Sequence, residues 1–569
     1  MAQRAPAGGP ATTLSTPPIV VSPWLVLITV ALGFFMILLD TTIVNVAIPS
    51  MMDGLNASLD QILWVLNAYI LVYAVLLITA GRLGDMFGPK KLFLGGLVIF
   101  ILASAASGLA QSPTQLIVFR VIQGVGGALL TPQSLSIITS IFPPEKRGAA
   151  FGVWGGVAGL AAVAGPTLGG FLTTTYSWRA IFYVNVPIGI VAVILALLLM
   201  PELTQHRKHH LDVVGVVLAS AGLFALVFGL IEGQRYSWGP ISSFASFSIG
   251  ALKVSLVSIP TILAVSIILL AIFVWDEAHA AEPLLPLSLF RDRNFSLANA
   301  VSAIVAFGMM GLFLPLTIFL QSVLGLSAED AGVVMVPMSL TSMFVAPFAG
   351  RLADRVSAKY LLATGLALFA IGMGVVLWVA SLSATGLTFT VPLLVAGVGM
   401  GLTFAPMITV AMRNIAPAQA GAASGFINTI RQVGGAMGSA AVGALLQNQL
   451  ASDLHTQAVH FAARVPKAYQ AKFIAGFSHV SSGGFQVGRG QTGAHLPKNL
   501  PAHVVQQLQA LAEAVFKHAF LDAMKPSLSL AIGVLVLGAV VALFMYGQQA
   551  QRAEVAAPAA ESRQVAAGE

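Results

Sequence analysis

Three charged side chains stand where charge is expensive. Asp40 interrupts an apolar run from Trp24 to Met51, Arg120 lies in the apolar stretch 114–137, and Arg431 lies in another at 419–446. A carboxylate or guanidinium at bilayer depth costs roughly 2.5 to 3.5 kcal/mol on insertion scales, so such residues mark ion or substrate paths. The chemistry open to a buried acid is reversible: burial favours the neutral form, and water or a cation favours the charged one, so alternating exposure loads and releases a proton. Asp40 is therefore read as a proton or cation site. The alternative is a hydrogen bond to Thr41, Asn45 or a neighbouring helix. Arg120 has Gln123 and Gly124 one turn on to keep its face polar, with a structural salt bridge or carbonyl contact as its alternative, and Arg431 stands evenly between function and packing. Other chemistries lack their residues. The chain has no cysteine, and no Gly-x-x-x-x-Gly-Lys-Ser/Thr loop to cradle a nucleotide. The group His206-Arg207-Lys208-His209-His210 reads as a solvated loop rather than a metal site. No cofactor, metal or catalytic residue is expected, and enzymatic clusters at depth are missing.

The elements that must hold these residues are membrane helices. In 569 residues, 57% are hydrophobic and 9% charged, far from the quarter or so charged in soluble domains, and the apolar runs approach the 20 residues needed to cross a bilayer. The fold class is all-α: a polytopic membrane protein with spans near 24–48, 61–80, 92–110, 114–137, 148–172, 180–200, 211–231, 256–275, 295–320, 329–349, 359–380, 386–410, 419–446 and 527–547. Fourteen spans put both termini on one side. With that side cytoplasmic, Arg82, Lys90, Lys91, Lys146, Arg147, Arg207, Lys208, Arg291, Arg293, Arg351, Arg355, Lys359 and Arg413 fall in inner loops, against Arg179, Arg235 and Lys253 in short outer ones. That distribution obeys the positive-inside rule. The net charge of +7 is thus a matter of topology, and no nucleic-acid partner is implied.

Internal repetition divides the chain. Gly81-Arg82-Leu83-Gly84-Asp85-Met86-Phe87-Gly88-Pro89-Lys90-Lys91 follows the second span, and Gly350-Arg351-Leu352-Ala353-Asp354-Arg355 follows the tenth. Two related halves of six helices account for the echo. The expected domains are a disordered tail 1–22, an N-terminal six-helix bundle 23–200, an inserted two-helix linker 201–293, a C-terminal bundle 294–547 with a long extracytoplasmic loop 447–526, and a disordered tail 548–569. An amphipathic stretch from Val504 through Phe520 is expected to cap the outer mouth or lie on the membrane. In the first repeat the glycines permit turns, Asp85 can bond a helix N-terminus, and Arg82 or Lys90 can pair across the loop. The fifth span carries Gly159, Gly165, Pro166, Gly169 and Gly170, small residues that let another helix approach closely.

With these residues in view the chain resembles the major facilitator superfamily, and within it the fourteen-helix drug:proton antiporters, over about 24–546. The stretches around Asp40, Gly81 to Lys91, Arg120 to Ala128, Gly159 to Gly170 and Trp178 to Pro187 carry the resemblance. It implies the major facilitator fold, two bundles that rock around a central path. It implies proton coupling at Asp40 and Arg120, a conformational switch at Gly81, Arg82, Asp85, Gly88 and Lys90, and an export-type helix motif at Gly159, Gly165, Pro166, Gly169 and Gly170. Asn45, Asn67, Tyr69, Gln123, Gln321, Asn428 and Arg431 are candidate substrate-lining residues. Polar groups among Phe and Met side chains such as Phe307, Met309 and Met310 suit large amphipathic substrates. The function expected is proton-coupled efflux of hydrophobic or cationic drugs across the cell membrane, by a chain acting as a monomer whose partners are amphipathic small molecules, protons and the lipid bilayer. Export of a native lipid or metabolite is the alternative, and a non-transporting sensor or scaffold a third.

Overall fold

The structure is a computed structural model and describes residues 21–203, 211–241, 246–249, 252–255, 257–465, 467–477 and 502–546. The two tails and the His206–His210 group lie outside the described residues, apart from residues 21 and 22. Thirteen helices among the described residues are long and apolar enough to cross a bilayer. The first set is α1 (Pro23–Val46), α3 (Leu59–Phe87), α4 (Pro89–Leu109), α5 (Pro113–Ile141), α6 (Pro144–Thr175) and α8 (Asn185–Leu199), with short α2 (Ile48–Leu55) and α7 (Ala180–Tyr183) at turns. The second is α11 (Arg293–Ile318), α12 (Ala328–Ala353), α13 (Ala358–Val379), α14 (Thr390–Met412), α15 (Ala420–Ala462) and α17 (Ala502–Leu543), with α16 (Lys467–Ala475) between the last two. The inserted pair is α9 (Val213–Glu232) and α10 (Ile259–His279), which pack on each other while α9 also touches α3 and α15. α15 takes a bundle position among α11, α17 and α3 although its glycines, Asn428, Arg431 and Gln432 make it less apolar than its neighbours.

Helices packed within each set are joined across the middle by α6 on α12 and by α3 on α15. Both seams are built from glycine. A Cβ on Gly152 would lie 2.8 Å from the Ala346 carbonyl oxygen, and one on Gly159 2.6 Å from that of Ser339. Gly148 and Gly350 meet backbone to backbone, as do Gly81 and Gly421. Close backbone approach of this kind gains dispersion contact where lipid supplies no hydrophobic drive.

Several expected boundaries move. The second span ends at Phe87, so Gly81, Arg82 and Asp85 sit on the last turns of a helix and only Gly88 turns the chain, at φ 94°, a conformation open to glycine. The sixth span divides at Val184 into α7 and α8. The stretch beyond Val504 is the first half of α17, whose Leu508, Ala512, Val515, Phe516 and Phe520 are buried in the same core as Leu450, Leu454, Ala458 and Phe461 of α15. Two apolar stripes at helical spacing bury each other, which satisfies both without the membrane surface. The all-α expectation also gains a small exception: β1 (Ser246–Ile249) pairs antiparallel with β2 (Leu252–Ser255), Ser246 opposite Ser255, between α9 and α10. Four-residue alternation is too short to stand out between two apolar spans.

Candidate functional site

The buried charges of the first half meet. Arg120 Nη1 donates to Asp40 Oδ2 at 2.5 Å and to Gln123 Oε1 at 2.7 Å, and its Nε donates to the Val65 carbonyl at 3.2 Å. Asp40 Oδ1 accepts from Gln123 Nε2 at 2.9 Å and Asn185 Nδ2 at 3.0 Å. Asp40 and Gln123 are fully buried and Arg120 is 1% exposed. The spacing of Arg120 and Gln123 puts them on one face of α5, turned to α1, so the two helices are joined by a charge pair and an amide that bonds both partners. Asn185 also donates to Ser104 of α4, whose hydroxyl donates to the Phe182 carbonyl. The guanidinium lies 4.2 Å from the Tyr69 ring centroid, a cation–π contact that stabilises it further.

Asp40 thus bonds neither Thr41 nor Asn45: Thr41 caps back to Ile37 and Asn45, exposed, donates to Thr41's carbonyl. Asn185 belongs to the cluster, though in the sequence only its place in the Trp178–Pro187 stretch marks it. A lone asparagine opening a helix carries no signal that it faces an acid 145 residues away. Of the other candidate lining residues, Tyr69 and Asn428 are buried, Asn67 and Arg431 are half-buried, and Gln321 sits half-buried in the wide turn Phe319–Val323 beyond α11. Arg431 lies beside the Tyr73 hydroxyl of α3, which itself donates to Thr131 at 3.1 Å.

The glycine-proline helix connects the cluster to the second half. A Cβ on Gly165 would run into Thr42, two residues after Asp40, and one on Gly169 would reach Ile43 at 2.9 Å. The Thr42 hydroxyl donates to the Ala161 carbonyl at 3.3 Å, within the stretch of α6 whose ladder Pro166 loosens. Gly159 faces α12 instead, and Pro166 packs against Gly332 of that helix. Gly170 meets open space, so its place in the motif has no packing reason here.

At the face bearing the basic loops, the two repeats perform the same task in exchange. Asp85, closing α3, accepts from the Gly421 and Ala422 N–H groups at 2.8 and 2.9 Å, the first turn of α15. Asp354, just past α12, accepts from Gly148 and Ala149 N–H at 3.2 and 3.3 Å, in the second turn of α6, which begins at Pro144. Each carboxylate of one half thus bonds a helix near its N-terminus in the other: Asp85 caps the free N–H groups of α15, where the dipole favours an anion, and Asp354 bonds α6 one turn further in. Burial pushes the Asp354 carboxyl above the usual carboxylate range, against the lowering from its two N–H bonds. Arg82 is buried near Asp85. Lys90 pairs instead with Glu202 at 3.3 Å, beyond α8. Arg147 of α6 reaches the Arg413 carbonyl at 3.3 Å, a further bond between halves.

The chain is similar to known proteins. Residues 30–439 match the family model described as Major Facilitator Superfamily. An uncharacterized MFS-type transporter of Mycobacterium tuberculosis is 41% identical over 76% of this chain and 72% of its own length. The tetracenomycin C resistance and export protein of Streptomyces glaucescens is 34% identical over 75% and 77%. The crystal structure of the human organic anion transporter MFSD10 superposes with a TM-score of 0.55 at 13% identity, covering 91% of this chain and all of that one, a likeness of fold alone. The chain is a member of the major facilitator superfamily.

Proposed function

We propose that this protein is a proton-coupled exporter of drugs and related amphipathic compounds in the cell membrane, with its basic-loop face and both termini in the cytoplasm, working as a monomer by alternating access. The observation that carries the coupling is the Asp40–Arg120 pair, wholly buried at 2.5 Å and closed by Gln123 and Asn185. Removing one charge of a buried pair leaves the other uncompensated, a penalty of about 3–5 kcal/mol. Protonation of Asp40 removes that charge in a reversible way. Arg120 is then left with Gln123, the Val65 carbonyl and the Tyr69 ring, and α1 loses its hold on α5. Displacement of α1 is passed to α6 through Thr42, Gly165 and Gly169, and α6 bears on α12 through Gly159 and Gly152. Opening of the cytoplasmic face then requires Asp85 and Asp354 to leave their helix ends. Export, as the direction of transport, is supported by the glycine-proline pattern of α6 and by the relative whose name records resistance and export.

The test is transport of aromatic dyes, one an ethidium-like cation and one an anionic amphipath, by the full chain in vesicles under an imposed pH gradient. Wild type drives a dye against its gradient and moves protons the other way, and Asp40→Asn does neither. Absence of dye and proton flux in wild type sinks antiport, and normal dye movement by Asp40→Asn sinks the role of Asp40.

A further inference from the structure

Buried polar atoms without partners occur in both halves, Asn185 Oδ1 and the Tyr69 hydroxyl among them in the first, and in the second they gather on two packed helices. Asn299 Oδ1, Ser302 Oγ, Ser424 Oγ, Asn428 Oδ1 and Thr429 Oγ1 have no hydrogen-bond partner, and all five residues are at most 4% exposed. The two amide nitrogens are occupied, Asn299 Nδ2 on the Phe295 carbonyl at 2.8 Å and Asn428 Nδ2 on that of Ser424 at 2.9 Å, so the free atoms of both are acceptors. An orphaned buried polar group costs about 1–3 kcal/mol, and five in neighbouring turns of two packed helices call for a ligand or water to meet them. Their direction follows from helical spacing. On α15, Gly434 and Gly438 pack on Ala303 and Phe307 of α11, while Gly421 and Gly425 pack on α3. Ser424, Asn428 and Arg431, at intervals of four and three, form the stripe between those two, toward the seam of the halves. On α11, Gly308 and Gly311 face α17, and Asn299 and Ser302 fall on the other side.

Charge adds the second element. Asp40 and Arg120 cancel, and Arg431 has no carboxylate within ion-pair distance among the described residues. It stands beside Tyr73, whose ring stacks on that of Tyr69 with centroids 5.9 Å apart. A guanidinium in a poorly solvated setting binds carboxylates, sulfonates and phenolates through charge-assisted, often bidentate bonds. We propose that Arg431, with the free acceptors of Asn299 and Asn428 and the hydroxyls of Ser302 and Ser424, forms the substrate subsite of the second half, which takes the acidic end of an aromatic amphipath carrying hydroxyl or N–H donors. This deepens the export reading and rests on it: the proton is held by Asp40 in one half and the substrate's acid by Arg431 in the other, so the two do not share a charge.

The test uses the full chain in lipid nanodiscs and aromatic probes of one shape: 2-naphthoate, 2-naphthylmethylammonium and 6-hydroxy-2-naphthoate. Wild type binds the naphthoate at least about tenfold more tightly than the ammonium, the size of one charge-assisted bond, and the hydroxylated acid more tightly again. Arg431→Gln removes the preference, Arg431→Lys keeps part of it, and Asn428→Ala removes the gain from the hydroxyl while sparing that from the acid. Equal or tighter binding of the ammonium by wild type overturns the proposal without needing any variant, as does unchanged naphthoate binding by a folded Arg431→Gln protein. The export reading fails separately: binding of the acid with no movement of any probe under a pH gradient leaves the subsite and sinks export, and driven transport with no acid preference does the reverse.

Discussion

The two halves share one architecture, and both leave some buried polar atoms without partners, but the cluster around Asp40 is satisfied to a greater degree than the one around Asn428. In the first, both oxygens of Asp40 are taken up by three side chains and Arg120 by two more partners. In the second, Asn299 and Asn428 spend their donors on their own helices and leave their acceptors free. A closed network with one exchangeable proton can switch, because neutralising one member unbalances the rest. An open set of acceptors beside a cation can bind, because each atom gains a partner that it lacks. The symmetry of the fold sets where these groups stand, and on the reading proposed above the side chains divide the labour between coupling and recognition.

The largest effect expected is from breaking the first half's pair. Arg120→Gln destabilises the folded chain by about 3–5 kcal/mol by stranding Asp40. Replacing both by apolar residues, Asp40→Leu with Arg120→Leu, costs less than either single change while abolishing pH-driven transport. Thermal unfolding in detergent, read as a double-mutant cycle, separates the two. Additive losses would mean that the pair is not one unit. Against this, Asn428→Leu in the second half leaves stability near or above wild type, since it removes an orphaned acceptor.

The seams come next. Gly350→Val places methyl groups where Gly148 and Gly152 backbone already stands, and overpacking of this kind costs typically 1–3 kcal/mol. If α6 and α12 part at this contact as the basic-loop face opens, as proposed above, the change holds that face ajar. Labelling of a cysteine introduced at Ser357 of an otherwise cysteine-free chain rises if so.

Smaller effects divide the two latches. Asp85→Ala frees two N–H groups bonded at 2.8 and 2.9 Å, Asp354→Ala two at 3.2 and 3.3 Å. Loss of a helix cap costs roughly 0.5–2 kcal/mol, with Asp85 at the upper end. The Asp354 latch also responds to pH with a definite sign. Its carboxyl is raised in the closed state by burial, so the closed state binds its proton more readily than a state in which Asp354 faces water. Acidifying through that raised range therefore favours closure, and Asp354→Asn removes this part of the dependence. The same labelling assay, run over pH, reads both.

Asp40, Arg120 and Gln123 were legible because a polar residue in an apolar run is conspicuous whatever surrounds it. Asn185 was not, since asparagine at the start of a helix is unremarkable until α8 is laid against α1. Hydropathy also measures the thickness of lipid rather than the length of a helix. It placed Asp85 in a loop when it closes α3, and it stopped the last span at 527 when α17 begins at Ala502. The helix α15 runs 43 residues, about 65 Å at 1.5 Å per residue, twice what a bilayer requires. Its excess and that of α17 bury each other, which no residue in either stretch announces alone.

The smallest effect tests whether depth, rather than charge, sets these energies. Arg235, in the turn after α9, pairs with Asp60 at the start of α3 at 2.9 Å, and its Nη1 lies 3.5 Å from Glu232. The side chains of Asp60 and Arg235 are 60% and 42% exposed, where those of Asp40 and Arg120 are 0% and 1%. Water at the first pair solvates either partner left alone, so Asp60→Asn shifts stability by no more than about 1 kcal/mol, and less at high salt. Asp40→Asn has no such solvent to turn to. If the two substitutions cost the same in thermal unfolding, or if salt weakens both alike, then water reaches Asp40 in the resting protein, and the coupling site is open where its geometry is closed.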